Sequence, residues 1–418
     1  MSRRLAPYAA VALAAALPRL GVLAYERGKI LTAYTEKSDD FARILASSGT
    51  YGLVPGEPSA YTQPLYGLFL APLYWVFGRA WLPVGLAQVL VAALTAVLVY
   101  EIGRRVVSPR AGLLAALAAT LQPYLLWHDV HVNREILDQL AAAALVLLVL
   151  LAAERGTTRL ALATGAVAGV AILGNTRLVA LPLLLAGYLF ARRRERGAAL
   201  ALLVAAALVV TPWIVRNRVQ VGCWTVTTDA RALWKANNER TYAVLARGGW
   251  LDNVPDPPGA PPTPEMAASI LERNGVFVPV DECAQMRDYQ DRVFDFWRDR
   301  PGEKARLAAQ AASMLWNPLV TATEDRPGEG GFRDVGRKVA MPVYTGALFA
   351  FALVGLRLVP RAYAALALAL LAYQTLAAML FAGATRYRVP WDFLLAVPAA
   401  AAATALARRV RKRRRAQA

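Results

Sequence analysis

Long apolar stretches recur along the whole chain and are separated by shorter segments that carry most of its charges. A helix that crosses a hydrocarbon core of about 30 Å needs about 20 predominantly apolar residues. The pattern therefore predicts an all-α polytopic membrane protein with about ten transmembrane helices. The predicted spans are residues 5–24, 81–100, 111–126, 136–153, 160–173, 178–190, 198–215, 339–356, 362–382 and 389–407.

The composition agrees with this pattern, because 57% of the residues are hydrophobic and only 18% are charged. The formal net charge of +18 would also suit a protein that binds nucleic acid. The basic residues, however, form short clusters between apolar stretches and not one basic face with interleaved aromatic side chains. We therefore expect membrane lipids, and no nucleic acid, among the partners of the chain.

The basic clusters also predict the orientation of the helices, because cytoplasmic connections are enriched in Lys and Arg. If the N-terminus is in the cytoplasm, ten crossings place every strong basic cluster on the cytoplasmic side, except for the charges within the long loop at 216–338. Both termini are thus expected in the cytoplasm, with the protein in the inner or plasma membrane and residues 25–80 and 216–338 outside. The first stretch is also typical of a signal peptide, but Pro18 and Arg19 interrupt the approach to a cleavage site, so we expect a retained span.

Residues 63–77 are apolar enough to count as an eleventh span, which would move the basic tail to the outer side. The segment is short for a span and contains Pro64 and Pro72. Its aromatic content favours a juxtamembrane helix that lies at the outer interface.

The spans at 160–173 and 178–190 are also short, and only the sequence GNTR separates them. Short helices that meet at a polar break are tolerated where they line a cavity inside the protein. We therefore expect Asn175 and Arg177 to face such a cavity from the outer side.

The long loop is predicted to form a folded extracytoplasmic cap of mixed structure. Residues 219–227 are typical of a strand, and the Pro-rich residues 255–264 are typical of an extended segment. Residues 283–297 and 303–316 have the periodicity of amphipathic helices.

These assignments divide the chain into four parts. The transmembrane module is residues 1–215 and the cap is residues 216–338. The C-terminal transmembrane helices are residues 339–407, and the basic cytoplasmic tail is residues 408–418. The two cysteines, Cys223 and Cys283, both lie in the cap, where an oxidising compartment permits a disulfide. Their spacing alone leaves open whether they are bonded.

Two adjacent carboxylates, Asp39 and Asp40, begin an amphipathic stretch in the first outer loop. One interpretation is structural, because Ser38 is a suitable N-cap and acids in a first helical turn complement the helix dipole. The other is catalytic, since a carboxylate at a cavity on the membrane surface can take the proton of a hydroxyl.

A second polar segment, WHDVHVNREILDQL, contains both histidines of the chain. His128 and His131 lie one turn apart and are followed by Arg134, Glu135 and Asp138. Histidines at this spacing with nearby acids can bind a divalent metal cation, although a third close ligand is missing from the pattern. The alternatives are that these groups solvate a helix end or position an acceptor, so metal dependence stays open and no cofactor is firmly expected.

A third segment, ATRYRVPWDF, places Arg386 and Arg388 on either side of Tyr387, directly before a predicted span. One such arginine is explained by snorkelling to the interface. Two arginines also suit a phosphate clamp, because guanidinium is the preferred bidentate partner of phosphate. Arg177 and Arg216 are further candidates for this clamp.

With these motifs the chain resembles the GT-C membrane glycosyltransferases, particularly the bacterial branch related to protein O-mannosyltransferases, the aminoarabinose transferase of lipid A and the Rgt-type lipopolysaccharide transferases. The resemblance runs nearly end to end. It rests on the order and spacing of SDDFARILASSGTYG, TQPLYGLFLAPLYWVFG, NREILDQL, TPWIVRNRVQVG, LWKANNERTY and RYRVPWDFLLAVPAA.

The resemblance implies a GT-C fold with two juxtamembrane helices in the first outer loop and a sugar donor carried on a polyprenyl phosphate. In-line attack of an acceptor hydroxyl on this donor would invert the anomeric centre, and the outer position of the candidate residues predicts a transfer on the extracytoplasmic side. The sequence leaves the acceptor open among a lipid, a glycan and a protein. The acid of the first loop corresponds to Asp39, with Asp40 beside it, and the acid of the second loop to Glu135. The arginines for the donor phosphate correspond to Arg386 and Arg388.

The remaining polar candidates, His128, His131, Tyr387 and Asn175, are assigned to the acceptor or sugar pocket. A polysaccharide ligase or polymerase is an alternative function, since it also combines many spans with a large outer loop. A lipid-linked glycan transporter is another, but it should have polar groups near the middle of the membrane and repeated halves, which the sequence lacks.

Overall fold

The computed structural model describes residues 5–33, 35–319 and 336–417. Helices connected by short turns make up most of this part of the chain. The α-helices are α1 (Ala6–Glu26), α2 (Ser38–Ser48), α3 (Pro64–Phe77), α4 (Trp81–Val106), α5 (Pro109–Thr120), α6 (Pro123–His128), α7 (Glu135–Arg155), α8 (Thr158–Gly174), α9 (Leu181–Arg193), α10 (Arg196–Gln220), α11 (Ala230–Lys235), α12 (Thr241–Ala246), α13 (Pro264–Asn274), α14 (Glu282–Asp299), α15 (Pro301–Trp316), α16 (Met341–Gly355), α17 (Arg361–Leu380), α18 (Thr385–Arg388) and α19 (Phe393–Gln417).

All ten predicted spans coincide with helices. Seven helical segments of the described chain are long and apolar enough to cross a membrane, namely Ala6–Leu31, Trp81–Val106, Glu135–Arg155, Arg196–Gln220, Lys338–Gly355, Arg361–Leu380 and Phe393–Gln417. The helices at the other three positions, α5, α8 and α9, are shorter. The all-α polytopic architecture predicted from the sequence is therefore confirmed.

The predicted span at 111–126 is interrupted in the structure. Helix α5 ends at Thr120 and a new helix, α6, begins at Pro123. The side chain of Gln122 accepts a hydrogen bond from the backbone N–H of Leu125 and so caps the second helix. A capping side chain followed by Pro at the first helical position is a strong start signal, which explains why one apolar stretch gives two helices.

The two helices expected in the first outer loop are present as α2 and α3, which pack against each other. Helix α3 starts at Pro64 and contains Pro72. Its C-terminal end exposes Trp75, Val76 and Phe77, each by more than half of its surface. An exposed aromatic and aliphatic end of this kind suits a helix at a membrane interface.

The long helices form one bundle in which α8 packs along α10, α4 packs along α1 and α5, and α16 packs along α19. Glycine allows the closest of these approaches. A Cβ atom on Gly165 of α8 would lie 2.1 Å from the carbonyl oxygen of Leu202 on α10, so a larger residue would separate the two helices.

The cap consists of helices α11 to α15, and the prediction of a mixed cap with a strand at 219–227 is wrong. Within the described residues there is no β-strand, only an isolated bridge between Val54 and Glu57. Helix α10 extends to Gln220, and the buried side-chain amide of Asn217 then donates to the carbonyl oxygens of Thr225 and Val226. These bonds hold the segment in a turn, so its β-forming residues find no strand to pair with. Residues 320–335, near the end of the predicted cap, lie outside the described residues.

Cys223 and Cys283 form a disulfide, with their Cα atoms 5.7 Å apart. It connects the turn after α10 to the start of α14. The neighbouring Glu282 is buried and its carboxylate accepts hydrogen bonds from the backbone N–H of Ala60 and the hydroxyl of Thr228. The disulfide thus closes a loop within the cap, and Glu282 connects the cap to Ala60 of the first outer loop.

Candidate active site

A polar cavity lies where the first outer loop, the ends of the membrane helices and the cap meet. Its empty volume is about 1360 Å³ including the open mouth. We call the part beside the membrane helices the membrane half, lined by Glu36, Gln63, Arg134, Asn175, Thr176, Arg177, Phe381, Arg386 and Tyr387. We call the part beside the cap the cap half, lined by Lys37, Asp229, Arg231, Lys235, Trp250, Asp252 and Glu265.

Arg386 is placed between two carboxylates in the membrane half. Its guanidinium lies 3.3 Å from Glu135 and 3.9 Å from Glu36. Arg386 belongs to the short helix α18 that follows α17, Glu135 is the first residue of α7, and Glu36 precedes α2. Residues far apart in the sequence thus meet at one point.

Glu135 is 3% exposed, and neither of its carboxylate oxygens has a hydrogen-bond partner among the described residues. The Nε atoms of Arg134 and Arg386 are likewise without a hydrogen-bond acceptor in the described part of the chain. Buried charged groups with unused hydrogen-bonding capacity are costly. They are typical of a site that a ligand completes.

Two further arginines surround Tyr387. The guanidinium carbon of Arg177 lies 3.6 Å from the centre of the Tyr387 ring, and Arg177 Nη1 donates to the carbonyl oxygen of Ala382. Arg134 Nη1 donates to the side-chain oxygen of Gln63. Burial raises the pKa of Tyr387, but Arg386, Arg177 and Arg134 together bring it below its ordinary value. The membrane half therefore has a concentrated positive potential.

Glu36 is the carboxylate that combines access to the cavity with a perturbed pKa. Its side chain is 20% exposed and lines the cavity. Burial and the nearby Glu135 raise the pKa of Glu36 to about 7, against the pull of Arg134 and Arg386. A carboxylate that titrates near neutral pH is suited to general base catalysis.

Asp39 and Asp40, the carboxylates favoured by the sequence, do not line this cavity. Asp39 is buried and faces α3, where it accepts hydrogen bonds from the Tyr74 hydroxyl and from Arg79, whose Nη2 lies 2.6 Å away. Asp40 is half exposed and lies 3.3 Å from Arg43 on the same helix.

The expected capping by Ser38 is also not found. Ser38 is already within α2 and the N-cap position is Lys37, without a side-chain capping bond. Asp39 and Asp40 therefore lie in the first helical turn, whose side chains are directed by the helix, whereas Glu36 in the preceding irregular segment can turn into the cavity. In the sequence, Glu36 stands out only as an acid just before the amphipathic stretch. The adjacent pair of aspartates at the start of that stretch was the more obvious candidate.

Of the four predicted clamp arginines, the structure brings Arg386 and Arg177 into the cavity. Arg388 is buried elsewhere, in an ion pair with Asp392 at 3.1 Å. Arg216 donates to the carbonyl oxygens of Ser59 and Tyr51 and stabilises the first outer loop. These two arginines support the surrounding structure and do not reach the cavity.

Among the predicted pocket residues, Tyr387 and Asn175 line the cavity. Asn175 also donates to Asp138 at 2.9 Å. His128 and His131 lie behind the site, with His131 Nδ1 2.8 Å from the carbonyl oxygen of Trp127 and His128 stacked on Tyr124. The described residues include no group of three or more His, Cys, Asp or Glu side chains that could hold a metal ion.

The cap half is formed by oppositely charged side chains on the first loop and the cap. Lys37 reaches Asp229 at 2.6 Å, and Arg231 pairs with Asp256 at 2.7 Å and approaches Glu265 at 3.9 Å. The Nζ of Lys235 donates to the carbonyl oxygen of Asp252. Trp250 approaches Tyr387, with 6.5 Å between the ring centres. Sequence reasoning assigned none of these residues to the site, although Lys235 lies in the motif LWKANNERTY, because folding alone brings the partners together.

Residues 58–215 match a family model described as dolichyl-phosphate-mannose-protein mannosyltransferase. This segment begins in the first outer loop, ends within α10 and includes Glu135 and Arg177, but it is less than half of the chain. No curated protein is similar enough to match the chain.

The chain is similar to the solved oligosaccharyltransferase of Archaeoglobus fulgidus in its apo form, with 15% identity and a TM-score of 0.52 over 98% of this chain and 52% of that one. The same enzyme, AglB, in complex with an inhibitory peptide and a dolichol-phosphate gives 15% identity and a TM-score of 0.51 over 98% and 51%. ArnT from Cupriavidus metallidurans bound to undecaprenyl phosphate gives 18% identity and a TM-score of 0.44 over 95% and 77%.

The chain thus spans about half the length of the oligosaccharyltransferase whose fold it shares. That likeness confirms the GT-C fold expected from the sequence. Identities at this level concern the fold and leave the activity to be argued from the site.

Proposed function

We propose that this protein is an integral membrane glycosyltransferase that transfers a sugar from a polyprenyl phosphate to an acceptor hydroxyl. The observation that carries the proposal is the membrane half of the cavity, where Arg134, Arg177 and Arg386 surround Tyr387 beside two acids, Glu36 and Glu135. Groups that can bind an anion and a carboxylate that titrates near neutral pH thus lie together at the end of a helix bundle.

The arginines suit the leaving group of such a transfer. A sugar linked to a polyprenyl phosphate leaves as a phosphate monoester, so charge develops on phosphate oxygens as the bond to the sugar breaks. Fixed guanidinium groups stabilise that charge without reorganisation. Glu135 holds Arg386 in place through the 3.3 Å contact between its carboxylate and Arg386 Nε. The Nε atom of Arg134, which has no hydrogen-bond acceptor among the described residues, is left as a donor for the phosphate.

Glu36 is assigned as the general base in place of Asp39. The acceptor oxygen attacks the anomeric carbon, its proton passes to the Glu36 carboxylate, and the bonding electrons of the sugar–phosphate bond leave with the phosphate. Attack from the side opposite the leaving group inverts the anomeric centre. The raised pKa of Glu36 makes it a stronger base than an ordinary carboxylate at neutral pH.

The relatives support the donor class. The matching family model is described as a dolichyl-phosphate-mannose-protein mannosyltransferase, and AglB was solved with a dolichol-phosphate. A polyprenyl tail would remain in lipid while its head group enters the cavity, so binding of the tail would orient the reacting carbon. No described residue is assigned to a metal in this mechanism.

We place the active site on the extracytoplasmic side, with both termini in the cytoplasm. The disulfide between Cys223 and Cys283 supports this orientation, because disulfides persist in oxidising compartments. The exposed basic end of α19, which contains Arg408, Arg411 and Arg415, supports a cytoplasmic C-terminus.

The decisive experiment is incubation of the purified full-length protein with a panel of polyprenyl-phosphate sugars, followed by measurement of released polyprenyl phosphate. We expect the protein to release polyprenyl phosphate from at least one of these sugar donors, and we expect Arg386→Ala to release less. Arg298→Ala is the control, because Arg298 is an exposed cap residue. Sugar release from nucleotide sugars instead, or transport without bond cleavage, would refute the assignment.

A further inference from the structure

The charges in the two halves of the cavity differ in balance. The membrane half has three arginines and one lining carboxylate, Glu36, with Glu135 behind Arg386. The cap half has three cations and three carboxylates, and these are Lys37, Arg231, Lys235, Asp229, Asp252 and Glu265. The first half attracts an anion, whereas the second has no net preference for either charge.

The cap half is nonetheless rich in hydrogen-bonding groups. Lys235 is 4% exposed, and its Nζ, with three N–H donors, bonds to one carbonyl oxygen, that of Asp252. Burial also lowers the pKa of Lys235, which makes an added hydrogen-bond partner favourable. Asp252 lines the same wall and carries a carboxylate, which is a hydrogen-bond acceptor.

Alternating donors and acceptors without net charge suit a ligand whose groups both donate and accept. Hydroxyl groups have this property. A neutral saccharide presents several of them around a ring, so it would satisfy Lys235 and Asp252 together without burying an unpaired charge.

Trp250 adds an apolar surface to this polar wall. Its indole lines the cavity near Tyr387, at the point where the two halves join. The face of an aromatic ring carries partial negative charge, which attracts the C–H hydrogens on one face of a sugar ring. An aromatic ring flanked by polar side chains is thus arranged for a ring with hydroxyl groups on its edge and C–H bonds on its face.

Other acceptor classes fit this wall less well. The described part of the cap has no β-strand, so it offers no sheet edge to which an extended peptide could add. The balanced charges give an acidic acceptor no electrostatic advantage, and the charged lining does not suit a hydrocarbon chain.

We propose that the cap half binds a neutral saccharide as the acceptor, with Trp250 against a sugar ring and Lys235 and Asp252 on its hydroxyl groups. This inference rests on the proposed function, because the acceptor hydroxyl must reach Glu36 in the same cavity. The product would then be an extended glycan.

The test is a binding titration with the full-length protein in lipid nanodiscs. The probes are neutral oligosaccharides of mannose, glucose, galactose and arabinose, an oligogalacturonate, a Thr-rich peptide and undecaprenyl phosphate. We expect at least one neutral oligosaccharide to bind, and Trp250→Ala to weaken that binding by about tenfold. Trp224→Ala is the matched control, since Trp224 is 69% exposed on the cap and lies outside the cavity lining.

Lys235→Met and Asp252→Asn should each weaken saccharide binding, while undecaprenyl phosphate should bind these variants and Trp250→Ala as it binds the wild type. The proposal is overturned if no neutral oligosaccharide binds, if the peptide or the oligogalacturonate binds in a Trp250-dependent manner instead, or if Trp224→Ala is equally weakened. Saccharide binding without any binding of undecaprenyl phosphate would refute the donor assignment and leave the saccharide site supported.

Discussion

Replacement of Glu36 by Gln is the most direct perturbation of the proposed mechanism, because it removes the base and preserves the size of the side chain. Loss of a positioned general base costs about 10²- to 10⁴-fold in rate. This range corresponds to about 3–5 kcal/mol in the activation barrier. The matched control is Asp40→Asn, which removes an exposed carboxylate four residues away and should leave the rate unchanged.

The pH dependence gives this prediction its magnitude. With a pKa of about 7 for Glu36, about 9% of the base is ionised at pH 6 and about 91% at pH 8. The value of kcat/KM should therefore rise about tenfold between these pH values and level off above pH 8. A carboxylate with an ordinary pKa near 4.5 would leave kcat/KM flat over the same range.

The assay is sugar transfer from a polyprenyl-phosphate donor, measured as kcat/KM from pH 5.5 to 8.5 for the wild type and both variants. A phosphodiester donor and an acceptor hydroxyl do not titrate in this range, so the slope reports the protein. If Glu36→Gln retained more than a tenth of the wild-type rate, or kept the same slope, Glu36 would not be the base.

Stability offers an independent check on the state of Glu36. Because its folded pKa of about 7 is above the ordinary 4.5, folding favours the protonated form, and the first outer loop around Glu36 should lose stability as the pH rises from 4.5 to 7. The shift sets an upper limit of about 3 kcal/mol for this loss. Glu36→Gln should thus be at least as stable as the wild type at pH 8, which separates loss of the base from misfolding.

Three further predictions follow from the same geometry. Arg386→Ala should lower kcat/KM by about 10²-fold or more, because the leaving phosphate loses stabilisation. The variant should also bind undecaprenyl phosphate more weakly. Unchanged binding of that lipid would show that Arg386 is not part of the donor site. Asp39→Asn should cost about 2 kcal/mol in stability by breaking the bonds to Arg79 and Tyr74, visible as a lower Tm, but should preserve the pH profile; a loss of the slope at pH 6–8 would assign the base to Asp39. Replacement of both Cys223 and Cys283 by Ser should destabilise the cap by about 4 kcal/mol, the loop-entropy value for their separation of 60 residues, and a cap that resists proteolysis equally well without the disulfide would contradict this.

Much of the fold follows from the sequence alone. Apolar stretches near the length of a bilayer span must become helices, because unpaired backbone groups are costly in hydrocarbon. This constraint is local, so the ten helix positions, the short helix at Pro64–Phe77 and the polar break near Asn175 were predictable. The interruption at Gln122 was less evident, since capping competed with a continuous apolar pattern.

The site itself was predictable only in part. Glu135, Arg177, Arg386 and Tyr387 stood out as charged or polar groups at the ends of apolar stretches, and the structure brings them together. Arg388 stood out for the same reason, yet its side chain is buried in an ion pair with Asp392 and does not line the cavity.

The choice between Glu36 and Asp39 depended on tertiary structure. Both acids lie within one short segment, and Asp39 is directed away from the cavity by its bonds to Tyr74 of α3 and to Arg79, which follows α3. The cap half was likewise not predictable from the sequence, because its ion pair between Lys37 and Asp229 joins residues that are 192 positions apart. Hydropathy acts along the chain and fixes helices, whereas pairing of charges acts through space and is decided only when those helices pack.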